Sequence, residues 1–279
     1  AAGTHTLETR DTGQQVEVLS LSGNGAAATY ELNATNDLPT TLTFTGSQSV
    51  TFAVTEVQAA GLTTVTDSTT AGTTTIKVGA VSANRDFKAL SSDVIELSGA
   101  TTAASEIIFK DGSTVNISLA QPNAFEIDVD DGATANSTTG TLTVNVTKDI
   151  TTLNVDSAND VVQTLTVVNS GSTNAAPHTY NVVDMAGTEA MTINMSGTAA
   201  TLAATTEALH LNGAGMTGVL KATVDADLLK ITGGSGNDEI TGIATVVGVV
   251  DGGAGNDTFV TAAGDMSNTT LAGIEVIDI

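Results

Sequence analysis

Apolar and polar residues alternate along most of this chain. The segment Thr41–Val54, for example, has an apolar side chain at nearly every second position, which is the period of a β-strand with one buried face. Most such runs end in Gly, Asn, Asp or Ser, the residues that favour turns. Further runs of this type cover 73–81, 93–99, 105–119, 124–132, 141–146, 151–157, 163–171, 190–197, 207–213, 227–234 and 274–279. No long segment has a 3.6-residue period, and the Ala-rich stretch 199–208 is expected to hold at most one helical turn. The pattern predicts an all-β protein.

The C-terminal half contains a repeat. Strand-turn units at 208–215, 228–236 and 249–255 recur about every 20 residues, a length that suits one two-sided coil of a parallel β-solenoid or β-roll. Residues 212–217 align with 233–238 as a degenerate copy that has lost its Asp. We expect strands around Leu229–Ile231, Ile240 and Phe259 to stack in parallel with those side chains in one core. This part of the chain, residues 89–279, is predicted to be a β-solenoid.

The N-terminal region, residues 1–88, shows no clear repeat. It is rich in predicted strands, and a separate β-sandwich-like domain is the alternative left open for it. The weak boundary between the two parts falls near Gly79–Lys88.

Composition restricts the possible functions. Eight Lys and Arg face 31 Asp and Glu, so the formal net charge is −23. Nucleic-acid binding needs a basic surface, and anionic membranes would repel such a chain. There is no Cys, which excludes disulfides, zinc-thiolate sites and cysteine nucleophiles. No apolar run is long enough to span a membrane. We expect neither a nucleic-acid partner nor membrane insertion.

Two Gly-rich segments carry the candidate chemistry. Residues 233–241 read GGSGNDEIT and residues 252–260 read GGAGNDTFV. The glycines permit a tight turn, partly with positive φ, that directs carbonyl groups inward, and the Asp at the sixth place adds a carboxylate. A hard cation such as Ca²⁺ takes six to eight oxygen ligands of these two kinds. The apolar residue that follows, Ile240 or Phe259, then begins a short strand.

These nonapeptides resemble the repeats of the RTX family, the bacterial proteins exported by type I secretion. The resemblance implies a parallel β-roll in which calcium lies between loops on the same side. Here the loops start 19 residues apart, one more than two nonapeptides. The resemblance implies one shared site with Asp238 and Asp257 as carboxylate ligands and loop carbonyls completing the shell. The predicted site comprises Gly233, Gly234, Ser235, Gly236, Asn237, Asp238, Gly252, Gly253, Ala254, Gly255, Asn256 and Asp257.

A second acidic cluster follows the predicted strand at 124–132. Asp128, Asp130 and Asp131 are candidate ligands of a second metal. The cluster lacks the downstream Glu of an EF-hand, so a solvated turn is the competing interpretation.

The Thr-, Ala-, Gly- and Val-rich, Cys-free acidic composition is similar to that of type I-secreted bacterial surface-layer proteins, as is the ending NTTLAGIEVIDI. This resemblance implies an extracellular, non-enzymatic protein, a C-terminal fragment of a longer chain, that self-assembles into a calcium-dependent lattice on the cell. A cell-surface polysaccharide, bound through a part outside this chain, is a further implied partner. An RTX adhesin or biofilm matrix protein, and the non-catalytic RTX domain of a secreted hydrolase, remain as alternatives.

Overall fold

Short strands are the main structural element of the described residues. The structure, a computed structural model, describes residues 3–8, 17–33, 39–102, 105–130, 140–157, 162–173, 176–185, 191–205, 208–224, 229–242, 248–261 and 267–279. Its elements are β1 (Gly3–Glu8), β2 (Val18–Gly23), β3 (Ala28–Asn33), β4 (Thr41–Gly46), β5 (Val50–Val54), α1 (Glu56–Gly61), β6 (Thr64–Thr69), β7 (Thr74–Val78), β8 (Arg85–Asp86), β9 (Val94–Leu97), β10 (Glu106–Phe109), β11 (Thr114–Ile117), β12 (Phe125–Val129), β13 (Gly140–Val146), β14 (Thr152–Ser157), β15 (Val162–Asn169), β16 (His178–Met185), β17 (Met191–Gly197), β18 (Ala200–Thr205), β19 (Ala208–Met216), β20 (Leu220–Val224), β21 (Lys230–Thr232), β22 (Glu239–Gly242), β23 (Gly248–Asp251), β24 (Thr258–Thr261), β25 (Thr269–Ala272) and β26 (Val276–Asp278).

The strands form a parallel β-solenoid, as the C-terminal repeat predicts. The odd-numbered strands β1 to β25 make one 13-stranded sheet, which we call the long sheet. The even-numbered strands β8 to β26 make a 10-stranded sheet, here the second sheet, and β2, β4 and β6 make a three-stranded sheet. All pairings between the named strands are parallel, so each coil contributes one strand to each face.

Stacked apolar side chains fill the space between the sheets. Because the strands are parallel and in register, equivalent residues of successive coils lie above one another. One such row of the second sheet runs through Phe125, Leu153, Tyr180, Leu202, Ala222, Ile240 and Phe259, all buried. These residues belong to one hydrophobic cluster that extends along the molecule.

The predicted packing of the C-terminal strands is largely confirmed. Ile240 pairs with Phe259 in the second sheet, and Ile231 lies in the long sheet. All three belong to the same core cluster. Leu229 was expected in the core, but its side chain is 49% exposed. Strand β21 begins only at Lys230, so Leu229 precedes the strand that would have held it in the inward row.

The N-terminal region is also solenoidal in its described residues. Strands β1, β3, β5 and β7 pair in parallel and continue through β9, so the long sheet passes residue 88 without interruption. This parallel pairing replaces the β-sandwich-like alternative for residues 1–88. The opposite face does change there, because the three-stranded sheet ends at Thr69 and the second sheet starts at Arg85.

The single helix among the described residues, α1, was not predicted. Thr55 and Gln58 form a capping box at its N-terminus, a signature that the sequence Thr-x-x-Gln displays. The Ala-rich stretch 199–208, expected to hold at most one helical turn, forms strand β18 over Ala200–Thr205, with Ala200 and Leu202 buried. Within the described residues, no helix is long and apolar enough to cross a membrane.

Candidate metal site

The two Gly-rich loops are neighbours on one side of the solenoid. The first, Gly233–Asp238, connects β21 to β22, and the second, Gly252–Asp257, connects β23 to β24. The loops therefore lie in adjacent coils, each at the crossing from the long sheet to the second sheet.

The extra residue in the 19-residue spacing lies outside the loops. Nine residues separate Ile231 from Ile240, nine separate Val250 from Phe259, and ten separate Ile240 from Val250. Because both loop-bearing half-turns have the nonapeptide length, the insertion belongs to the half-turn that lacks a Gly-Asp signature.

The carboxylate of Asp238 is fully engaged by backbone N–H groups. Its Oδ1 accepts a hydrogen bond from the Leu220 N–H at 2.7 Å, and its Oδ2 accepts one from the Gly234 N–H at 2.6 Å. The residue is 1% exposed. The Asp of the first loop thus ties the loop to itself and to the preceding coil.

The carboxylate of Asp257 is engaged on one side only. Its Oδ1 accepts the Asp238 N–H at 2.6 Å. Its Oδ2 is buried and has no hydrogen-bond partner, and the residue is 0% exposed. A buried carboxylate oxygen without a donor is costly, so this atom is the strongest local indication of a bound cation.

Sequence analysis missed Glu275, which continues the same ladder. Glu275 Oε2 accepts the Asp257 N–H at 2.8 Å, just as Asp257 accepts the N–H of Asp238 one coil earlier. The signal in the sequence is an acidic residue 18 positions after Asp257, preceded by Gly273. Residues 273–275 have the form Gly-x-Glu, which does not match the Gly-Asn-Asp sequence of the two loops.

The remaining loop residues form the outer turn. Ser235, Asn237, Gly253, Ala254, Gly255 and Asn256 are exposed, whereas Gly233, Gly234 and Gly252 are buried and Gly236 is half-buried. The Asn256 N–H donates to Asn237 Oδ1 at 3.0 Å, and the Ala254 N–H donates to the Gly234 carbonyl at 2.9 Å. These bonds hold the two turns in contact.

The two loops differ in backbone conformation despite their similar sequences. Gly253 has φ 92° and Gly255 has φ 143°, both in the region that favours glycine. None of Gly233, Gly234 and Gly236 has φ in this region. The prediction of a turn with positive φ is confirmed for the second loop only.

Negative charge accumulates at the site. Burial raises the pKa of Asp238, and the charge of Asp257 adds to the effect, while the N–H groups of Leu220 and Gly234 oppose it. Burial likewise raises the pKa of Asp257, the N–H of Asp238 opposes this, and the charges of Glu275 and Asp251 add to it. A bound divalent cation would relieve this repulsion.

The oxygen atoms beside Asp257 come from the backbone as well as from side chains. Among the described residues, no three acidic or histidine side chains converge closely enough to hold a metal. A Cβ atom built on Gly252 would lie 2.6 Å from Asp257 Oδ2 and would collide with the Gly273 carbonyl oxygen. A carboxylate and a carbonyl thus face the same small space, the ligand mixture that Ca²⁺ takes.

The second acidic cluster is only partly within the described residues. Asp128 is 8% exposed and its Oδ1 has no hydrogen-bond partner. Asp130 forms an ion pair with Lys88 at 2.5 Å. Asp131 lies outside the described residues. Because Lys88 already neutralises Asp130, the structure favours an ion-paired acidic surface over three free ligands here.

The degenerate copy at 212–217 is shifted by one residue from its predicted alignment. Asn212 pairs with Thr232, which places Gly213, and not Asn212, beside Gly233. The half-turn from Leu211 to Ala222 spans eleven residues, whereas the equivalent half-turn of the next coil, from Ile231 to Ile240, spans nine.

Comparison with known proteins gives no relative. No protein-family model, no curated protein and no solved structure matches this chain.

Proposed function

We propose that this protein is a calcium-dependent, non-enzymatic structural protein of a bacterial surface layer. In this proposal calcium orders the C-terminal coils outside the cell, and copies of the chain then assemble into a lattice. The observation that carries it is the buried, unpartnered Asp257 Oδ2 in a loop that repeats the Gly-Gly-x-Gly-Asn-Asp sequence of its neighbour.

Net charge supports a role for bound cations. A formal charge of −23 destabilises a compact state through self-repulsion. At the C-terminal coils, Asp257 has Asp251 and Glu275 as charged neighbours. Calcium bound there reduces the repulsion, and the low calcium concentration inside a cell leaves these coils loose, which suits export.

The C-terminal end of the solenoid supports association between copies. Among the described residues, β25 and β26 lie at the ends of the long sheet and the second sheet, where each pairs with one strand. Val276, Ile277 and Ile279 are 42%, 49% and 91% exposed. Apolar strands with a free edge are templates for pairing with another chain, and a lattice protein needs such surfaces.

The proposal is tested with metal-free protein titrated with calcium or magnesium. Extracellular calcium modules have Kd on the order of 10⁻⁴ to 10⁻³ M. Calcium at ten times Kd, bound at one site, stabilises the folded state by about 1.4 kcal/mol. We expect millimolar calcium to raise Tm and to produce ordered assemblies in light scattering and electron microscopy. EGTA should reverse both effects, and magnesium should not reproduce them, because Mg²⁺ demands a tight octahedron and keeps its waters.

A protein that stays monomeric at high calcium with an unchanged Tm would contradict both halves of the proposal. A raised Tm without assembly would retain calcium binding and remove the lattice role.

A further inference from the structure

The two Asp loops differ in where one backbone N–H group points. In the first loop, the Gly234 N–H donates to Asp238 Oδ2 at 2.6 Å. In the second loop, the corresponding N–H of Gly253 donates to Asp251 Oδ1 at 3.1 Å. Asp257 Oδ2 therefore loses the donor that its counterpart Asp238 Oδ2 has.

Asp251 is the residue that distinguishes the two coils. It pairs with Thr232 in the long sheet, so the same position holds a neutral hydroxyl in one coil and a carboxylate in the next. Of these two side chains, the Asp251 carboxylate accepts the N–H of the second glycine of its loop, Gly253. The consequence is an oxygen of Asp257 that is buried but left without a protein donor.

The oxygen atoms near the unpartnered Asp257 Oδ2 come from the second loop and the final coil. A Cβ atom on Gly252 would collide with the Gly273 carbonyl and lie 2.6 Å from Asp257 Oδ2. A Cβ atom on Gly273 would lie 2.9 Å from the Gly253 carbonyl oxygen and 3.2 Å from Asp251 Oδ1. Two oxygens thus lie close to each glycine, one from a carboxylate and one from a carbonyl in both cases.

Glu275 adds negative charge to the same place. Its carboxylate accepts the Asp257 N–H, which fixes it next to the loop. In the first loop, the Asp238 N–H donates in the same way to Asp257 of the next coil. The other carboxylate oxygen of Asp257 lies next to Gly252. The final coil therefore closes the site without a third Gly-Asn-Asp sequence.

We infer that the principal calcium site lies between the second loop and the final coil, with Asp257 Oδ2 as its essential ligand and Asp251 as the residue that keeps this oxygen free. Glu275 and the carbonyls of Gly253 and Gly273 complete the local set of oxygens. This inference rests on the proposed calcium binding, but it moves the ion away from the shared position between the Asp238 and Asp257 loops. Asp238 then has a structural part, because both its oxygens hold backbone N–H groups.

The test is calorimetric titration of calcium into the metal-free full chain, with Tb³⁺ luminescence as a second readout. Asp257→Asn and Asp238→Asn remove the same charge at equivalent positions of the two loops. Asp251→Thr gives the second coil the residue found at Thr232, so that the Gly253 N–H becomes available to Asp257. Asp278→Asn, at an exposed carboxylate in β26, controls for net charge.

We expect Asp257→Asn and Asp251→Thr to weaken calcium binding by roughly 10- to 100-fold, the effect typical of changes in and around a metal's ligands. Asp238→Asn and Asp278→Asn should change the affinity by less than about 3-fold, because neither carboxylate contacts Asp257 and Asp238→Asn keeps the backbone N–H that Asp257 accepts, so the ligand and its partners are preserved. If Asp257→Asn does not fold, the comparison of Asp251→Thr with Asp238→Asn gives the same decision.

Equal losses in Asp238→Asn and Asp257→Asn, with Asp251→Thr unaffected, would overturn this inference and leave the shared site between the loops. An absence of calcium binding by the unsubstituted protein would overturn the proposed function and the inference together.

Discussion

Close packing between successive coils makes single glycines indispensable in the loops. The Cα of Gly252 lies against the Gly273 carbonyl and Asp257 Oδ2, and that of Gly233 lies against the Gly252 carbonyl and Asp238 Oδ2. Any side chain there would separate neighbouring coils or displace a buried carboxylate. Gly79 is different, since the nearest atom to an added Cβ would be the Val54 carbonyl oxygen at 3.7 Å.

We predict that Gly252→Ala lowers the free energy of unfolding by about 1–3 kcal/mol through overpacking. Gly79→Ala, the matched control, should change it by no more than about 0.5 kcal/mol, since its Cβ meets ordinary van der Waals contact. Urea unfolding with calcium present and absent measures both. If both substitutions changed the free energy of unfolding equally, the coils would accommodate a side chain at Gly252 without loss of stability, and the prediction would be wrong.

At the scale of elements, acidic side chains of adjacent strands crowd the outer face of the second sheet. Asp128 of β12 pairs with Asp156 of β14, and Glu106 of β10 pairs with Glu126 of β12. Burial raises the pKa of Asp128 to about 6, and the charges of Asp156, Glu106 and Asp130 add to this effect. The folded state therefore favours the protonated form of Asp128 more than the unfolded state does.

This raised pKa predicts a pH dependence of stability. An unfolded Asp titrates at about 3.9, so the folded state holds the Asp128 proton more strongly and loses stability as the pH rises from about 4 through 6. Asp128→Asn removes this loss. We expect the variant to gain about 1–3 kcal/mol relative to the parent protein between pH 4.5 and pH 7.5. Chemical unfolding of both across this range is the measurement, with Asp278→Asn as control. Parallel pH profiles for parent and Asp128→Asn would refute the assignment.

The whole molecule is a stack of coils with a large net negative charge. Each coil contacts mainly its neighbours through the two ladders, so stability is a sum of interfaces between adjacent coils. Long-range repulsion acts across all of them, whereas a bound cation acts on the coils it touches. Screening by salt and binding of calcium should therefore be separable.

We predict that NaCl raises the Tm of the metal-free protein between 0.1 M and 1 M, where the Debye length falls from about 10 Å to about 3 Å. One millimolar calcium, which barely changes the ionic strength, should raise Tm further at either salt concentration. Asp257→Asn should keep the response to NaCl and lose the response to calcium. A calcium effect that ionic strength alone reproduces would indicate screening in place of a site.

The sequence by itself determines the strands and the loops. Alternation is a local property, so the inward positions of residues such as Val144 and Ile193 follow from period alone. The loops likewise carry their own signature, because only glycines tolerate the close approach of the next coil at Gly233 and Gly252. The 18- to 20-residue spacing of the last coils made the parallel stack visible in the C-terminal half.

Only the tertiary structure shows which strands are neighbours elsewhere. Gly3 pairs with Ala28 after 25 residues, whereas Thr75 pairs with Val94 after 19. Connections of unequal length hide the repeat, because parallel pairing fixes the register of the strands and leaves the loops between them free. The solenoidal character of the N-terminal region is therefore absent from its sequence pattern.

The same reason applies to the candidate site. Asp238 and Asp257 are recognised from their motif, but Asp251 acts through a single N–H of Gly253, and Glu275 acts through the N–H of Asp257. The Glu275 contact depends on the stacking of one coil on the next, whereas the Asp251 contact depends on the conformation of a single turn. Sequence placed the acidic loops, and the hydrogen bonds of the folded chain decided which of their oxygens remains free.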